Sequence, residues 1–239
     1  MNSRITLDCD DSWTTANGKP AAKRVNTDRD AMSPTVTFPG EQSTLLSSVS
    51  WATYNAHVDE SRSTGNRLTN DRGDLEIMSP GSPHETAKRL LARMIDQFTM
   101  FHDIEIGSAG STTFRWANSE RGFEAEESYY VQNVAAIRGK DRLDLTVVPP
   151  PDLVIEIEMS RSAIKQLGLF VAFGVPDVWC YDNSRLRIHR LGQKVYVQTQ
   201  TSVSLPGFPV EIVESVLSRR ASYNETELVR EFARFCQGG

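Results

Sequence analysis

Residues 149–160, PPPDLVIEIEMS, set acids and apolar side chains in alternation. Leu153, Ile155, Ile157 and Met159 fall on one side, and Asp152, Val154, Glu156 and Glu158 on the other. Period-two alternation in a β-branched run specifies a strand with one buried face. Its other face then carries three carboxylates, with same-face neighbours about 7 Å apart. Carboxylates so placed repel one another unless a cation sits among them. A hard divalent metal answers that need with oxygen coordination. Glu156 is the candidate ligand of this run, and Glu158 is a further ligand or a base. Asp152 lies about 13 Å from Glu156 by strand rise, which places it against backbone at the strand's entry, after three prolines. A solvated acidic face is the plain alternative.

Composition narrows the chemistry. The chain has 239 residues, 39% hydrophobic and 24% charged, as an ordinary globular protein does. A net charge of −5 lacks the basic footprint of a strong non-specific nucleic-acid binder. It leaves room for an enzyme that meets DNA transiently, with metal offsetting an acidic site. Cys9, Cys180 and Cys236 are odd in number and widely spaced. They fit a reducing cytoplasm and argue against a disulfide framework or a thiolate zinc site. The four histidines are isolated, so any metal is expected to be held by oxygen. No run approaches the roughly 18 apolar residues of a membrane span, and the N-terminus has no apolar signal-peptide core.

The elements that must position these acids read as follows. Residues 1–45, rich in Ser, Thr, Asp, Asn and Pro, read as a disordered or loosely attached arm. Trp51, Tyr54 and Val58 space a short helix that Ser48 or Ser50 can cap. Residues 67–80 read as a hairpin turning at Asp71-Arg72-Gly73. Ala87, Leu90, Leu91, Met94, Ile95, Phe98 and Phe101 stripe a long helix over 84–102. Strands are expected near 104–106, 112–116, 128–134, 152–159 and 177–181, with a hairpin over 185–200. A helix over 162–173 stops at Gly174 and Pro176, and helices near 209–219 and 224–236 finish the chain. The fold class is α+β, or mixed α/β: a central mixed sheet flanked by helices.

In order and spacing these segments resemble the Uma-two family, restriction endonucleases of the PD-(D/E)XK nuclease superfamily. The resemblance rests on GDLEIMSP (73–80) with His84 after it, GSTTF (110–114), RGFEAEESYYVQN (121–133), PPPDLVIEIEMS (149–160), FGVPDVWCYD (173–182) and LPGF (205–208). It spans roughly residues 48 to 218 of a domain at 46–220, leaving a C-terminal helix at 221–239. It implies a restriction-endonuclease-like sheet with helices on both sides and a Mg²⁺ (or Mn²⁺) site hydrolysing phosphodiester bonds. Nucleic acid is the implied partner, DNA before RNA, with no membrane and a homodimer left open. Glu126 stands where the family carries an aspartate ligand, and Glu156 matches its next acidic ligand. Gln166 stands where the family carries lysine, with Lys165 its neighbour. That substitution sets the alternative: a catalytically weak or inactive nuclease-fold protein that binds nucleic acid or a protein partner.

Other residues have plainer readings. Glu76 either shares the face of the site or is solvated. His84 is expected to cap or precede its helix, and Trp179 to pack in the core. Arg161 reaches a phosphate or makes a salt bridge. Arg185, Arg187 and His189 either brush a nucleic-acid backbone or blunt a hairpin edge.

Overall fold

The computed structural model describes residues 37–38, 41–60, 65–110, 112–157 and 166–238. The expected mixed α/β fold, with sheet flanked by helices, is present with one correction. The strands divide between two six-stranded sheets rather than forming one.

The first sheet holds β1 (Thr37–Phe38), β2 (Glu41–Leu46), β3 (Arg67–Asp71), β4 (Asp74–Ser79), β6 (Thr113–Trp116) and β7 (Arg121–Glu124). Its order is β1-β2-β4-β3-β7-β6, and every pairing is antiparallel. The β3–β4 hairpin turns where expected. Arg72 and Gly73 both take positive φ, 54° and 97°, as a two-residue type I′ turn requires.

The arm expected over 1–45 lies mostly outside the described residues. Its last residues do not behave as a loose arm: β2 pairs with β4 from Gln42↔Ser79 to Leu46↔Leu75. Backbone pairing rather than apolar burial holds this strand, so composition gave no sign of it.

The second sheet holds β5 (Gly107–Ser108), β8 (Glu127–Tyr130), β9 (Leu153–Ile157), β10 (Asp177–Tyr181), β11 (Leu186–Leu191) and β12 (Tyr196–Thr199). Its order is β12-β11-β10-β9-β8-β5. Only β9 and β10 run parallel, because the chain between them crosses over through the helix α3 (Gln166–Phe173). The first strand, expected at 104–106, falls instead at 107–108.

The division between sheets occurs at two residues. After β7 the chain leaves strand geometry at Ala125 and Glu126, and resumes it as β8. β7 therefore pairs with β3, and β8 with β9. The sequence reading missed β7, a four-residue strand with Gly122 at its centre. That glycine is required: a Cβ there would lie 2.8 Å from the ring of Tyr54. The close approach lets α1 (Trp51–Glu60) settle on the first sheet, with Tyr54 and Val58 packed on Leu68 and Leu75. Ser50 starts this helix, its hydroxyl accepting from Thr53 N at 3.1 Å.

Three helices cover one face of the second sheet: α2 (Ser82–Phe101), α4 (Val210–Ser218) and α5 (Glu225–Gly238). The apolar stripe of α2 from Ala87 to Phe98 packs on Leu153, Ile155, Ile157, Trp179 and Tyr181. Each large side chain so buried contributes about 1.5–3 kcal/mol. Phe101 departs from the stripe and is 40% exposed, because the helix ends there. The opposite face meets α3 through Leu169, Phe170 and Phe173, together with Phe114 and Phe123 of the first sheet. Val154, Val178 and Cys180 line that side, so α3 lies over the face of β9 to which Glu156 belongs. No described helix is long and apolar enough to cross a membrane.

Candidate metal centre

The antiparallel ladder of β8 and β9 pairs Tyr129↔Leu153, Ser128↔Val154 and Glu127↔Ile155. One step beyond each end lies a buried acid. At the Tyr130 end it is Asp152, whose carboxylate accepts from the backbone of Val131 at 2.8 Å and of Asn133 at 2.9 Å. The side-chain amide of Asn133 donates to its other oxygen. Tyr130 Oη fixes the same corner by donating to Pro149 O at 2.9 Å. Asp152 thus contacts backbone at the strand's entry, as its position predicts.

At the other end the ladder stops at Glu127↔Ile155, with Glu126 just before β8 and Glu156 the next residue of β9. Glu126 is fully buried and Glu156 is 5% exposed. On its other side Glu156 pairs in register with Cys180 of β10. The two acids that the sequence picked out therefore lie toward the same end of the β8–β9 ladder. Gln166 opens α3, which covers that face. Glu158, Lys165 and Arg161 lie outside the described residues.

Two partners of Glu126 come from distant chain. Arg67, the first residue of β3, forms an ion pair with Glu126 Oε2 through Nη1. His84, in the first turn of α2, places Nε2 at 2.6 Å from the same oxygen. Arg67 Nη2 also lies 2.9 Å from His84 Nε2. A ring nitrogen has one in-plane position. When Nε2–H donates to the carboxylate, the guanidinium is left as an electrostatic neighbour. The role expected for His84, capping its helix, is corrected here: its side chain is buried against Glu126, and α2 starts at Gly81 without a side-chain cap.

Ligand atoms of His84, Glu85 and Glu126 all lie within 4.8 Å of one another, a cluster able to hold a metal ion. Glu85 is also engaged with Lys88 Nζ at 2.6 Å. Sequence reasoning missed Arg67 and His84 as members of the site. His84 had one signal, its place in the GSPHE segment; Arg67 had none.

Neighbouring acids have partners of their own. Burial pushes the Glu127 carboxyl above the usual range, while Lys88 and Arg89 of α2 oppose the rise. Burial also raises Glu124, against Leu68 N–H and the charge of Arg67, which lower it. Glu76 accepts from Ser43 Oγ at 2.6 Å, which ties β4 to β2. Asp177 accepts from Val203 and Ser204 N–H, both at 3.1 Å, and holds that loop. On the 185–200 hairpin, Arg187 pairs with Asp182, and Arg185 lies 3.6 Å from Glu214. Local acids thus answer two charges of the basic stripe.

Residues 51–220 match the family model Uma2, described as "Putative restriction endonuclease". The chain belongs to the Uma2 family. A crystal structure from Anabaena variabilis, described as "a putative nuclease belonging to DUF820", superposes with a TM-score of 0.50 at 12% identity. The match covers 69% of this chain and 98% of that one, and it shows a shared fold. No curated protein matches the sequence. Family membership and the His–Glu cluster together make this a nuclease-like Uma2 protein with a potential metal-binding site.

Proposed function

We propose that this protein is a divalent-metal-dependent endonuclease that hydrolyses phosphodiester bonds in DNA. One observation carries the reading: a buried His84–Glu126 cluster with Glu85, able to hold a metal ion, in a Uma2 fold whose strand β9 carries the buried Glu156. The donors fit a hard divalent cation. Two carboxylates suit Mg²⁺, and the imidazole of His84 suits Mn²⁺ at least as well.

Glu126 and Glu156 would hold the ion, with Glu158 a third ligand or a base. When bound, it supplies charge neutralisation at the phosphoryl group and a lowered pKa for the attacking water. His84 fixes the Glu126 carboxylate through its ring nitrogen. Gln166 would orient water through its amide, bringing no charge. Slow turnover is the consequence. The proposal extends to the cytoplasm as compartment, in keeping with the three widely spaced cysteines.

A second reading, a nuclease-fold protein that binds nucleic acid without cutting it, is favoured by the Arg67 guanidinium already paired with Glu126. Plasmid and single-stranded DNA incubated with Mg²⁺ or Mn²⁺ separate the two. Metal-dependent nicking is expected, falling about 100-fold or more in Glu156→Ala. Gln166→Lys is expected to speed it about tenfold or more by restoring an ammonium. Nicking that persists in Glu156→Ala would rule out the assigned centre. Salt-dependent binding with no turnover selects the second reading.

A further inference from the structure

Arg67 is 7% exposed, and its Nε has no hydrogen-bond partner among the described residues. A guanidinium carries five donors in a rigid fork and stays charged at any working pH. Among the described residues the terminal nitrogens of the fork face Glu126 Oε2, His84 Nε2 and Met78 Sδ. A second carboxylate stands within its electrostatic reach. Glu124, two residues before Glu126, is held among the described residues by long contacts: Leu68 N at 3.4 Å and Thr113 Oγ1 at 3.5 Å. Glu124 also lines an open cavity of about 640 Å³ with Arg115 and Arg142, so its side chain has room to move. One buried cation therefore stands beside a tightly engaged acid and a loosely engaged one.

A divalent ion at Glu126 and the Arg67 guanidinium would compete for one oxygen. Two cations so close in a poorly hydrated site repel strongly. We propose that Arg67 is an exchangeable counter-ion: it neutralises Glu126 until a divalent cation enters, then transfers to Glu124. The pair 124/126 thus sets how tightly the centre takes its metal. This rests on Glu126 being a metal ligand, as in the proposed function.

The two partners of Arg67 give opposite signs. Calorimetric titration with Mn²⁺, without nucleic acid, is expected to show binding about tenfold or more tighter in Arg67→Gln than in wild type, since the competitor is gone. Glu124→Gln is expected to bind Mn²⁺ about threefold or more weaker, since the displaced charge has no acceptor. Arg67→Lys keeps the charge and stays near wild type. In the wild-type protein the Arg67 Nε–Hε NMR signal, identified by its loss in Arg67→Lys, is expected to shift as Mg²⁺ is added. That measurement holds even if Arg67→Gln fails to fold. Equal affinity in Arg67→Gln and wild type, or an unmoved Nε–Hε signal at saturating Mg²⁺, overturns the exchange and leaves the metal centre intact. No Mn²⁺ binding to wild type or any variant overturns the centre itself.

Discussion

The β8–β9 ladder carries a buried carboxylate beyond each end, and the two are held in different ways. Asp152 takes two backbone N–H donors and a side-chain amide from the chain that follows β8. Glu126 takes side-chain partners, Arg67 and His84, from two elements far off in sequence. Backbone donors cannot leave without unfolding the loop, so Asp152 is committed to structure. Side-chain cations can rotate away, so Glu126 can change partner while the ladder stays formed. Burial alone does not separate the two, since both are inaccessible. The identity of the donors does.

The largest effect expected from this contrast is on folding. Asp152→Ala leaves three donors without their acceptor, and charged hydrogen bonds of this kind are worth about 1.5–3 kcal/mol each, less than additively. A loss of about 3–5 kcal/mol follows, which lowers the melting temperature of a domain this size by roughly 10 °C. A melt within about 2 °C of wild type would show that the corner is held by something else.

The next effect is on ligand linkage. At about 100 times its dissociation constant, a metal that binds only the folded state stabilises it by roughly 2.7 kcal/mol. Mn²⁺ is expected to raise the melting temperature of wild type and of Asp152→Asn by similar amounts. Glu126→Gln is expected to show no such rise. A rise kept in Glu126→Gln, or lost in Asp152→Asn, collapses the distinction between the two ends.

Much of this was legible in the residues, because local pattern reported it. Alternation in DLVIEIEMS located β9 and put Glu156 on the face opposite Leu153 and Ile155. Three prolines before Asp152 marked it as a strand-entry residue. The periodicity of α2 named most of the residues that cover the second sheet. Hidden from the sequence were facts made by long-range pairing. β2 is held by its ladder to β4 and has no apolar signature of its own. β7 is short and built around Gly122, whose meaning depends on Tyr54. The bend at Ala125-Glu126 that separates two sheets carries neither glycine nor proline. Arg67 and His84 reach Glu126 only through tertiary packing, and isolated histidines argued for a centre held by oxygen alone.

The smallest effect sharpens the contrast from within one dipeptide. Glu127 follows Glu126 but belongs to the ladder, opposite Ile155 and near the charges of Lys88 and Arg89. Burial raises its carboxyl, and the negative charges of Glu126 and Asp96 add to the rise. A folded-state pKa above the unfolded value means that the folded protein holds this proton more tightly. That contribution to stability is full below the unfolded value and is lost as pH climbs through the raised one. Glu127→Gln removes the charge and so removes the loss. Near neutral pH the variant is expected to be slightly more stable than wild type, by less than about 1 kcal/mol, since solvent and two basic neighbours offset much of the penalty. Below the ordinary glutamate range both side chains are neutral and the two melting curves should converge. Thermal melts from pH 3 to pH 8 read this directly. A variant less stable than wild type at neutral pH would show that Lys88 and Arg89 hold Glu127 as an ion pair, making it the second committed acid of the ladder rather than a charge the fold merely tolerates.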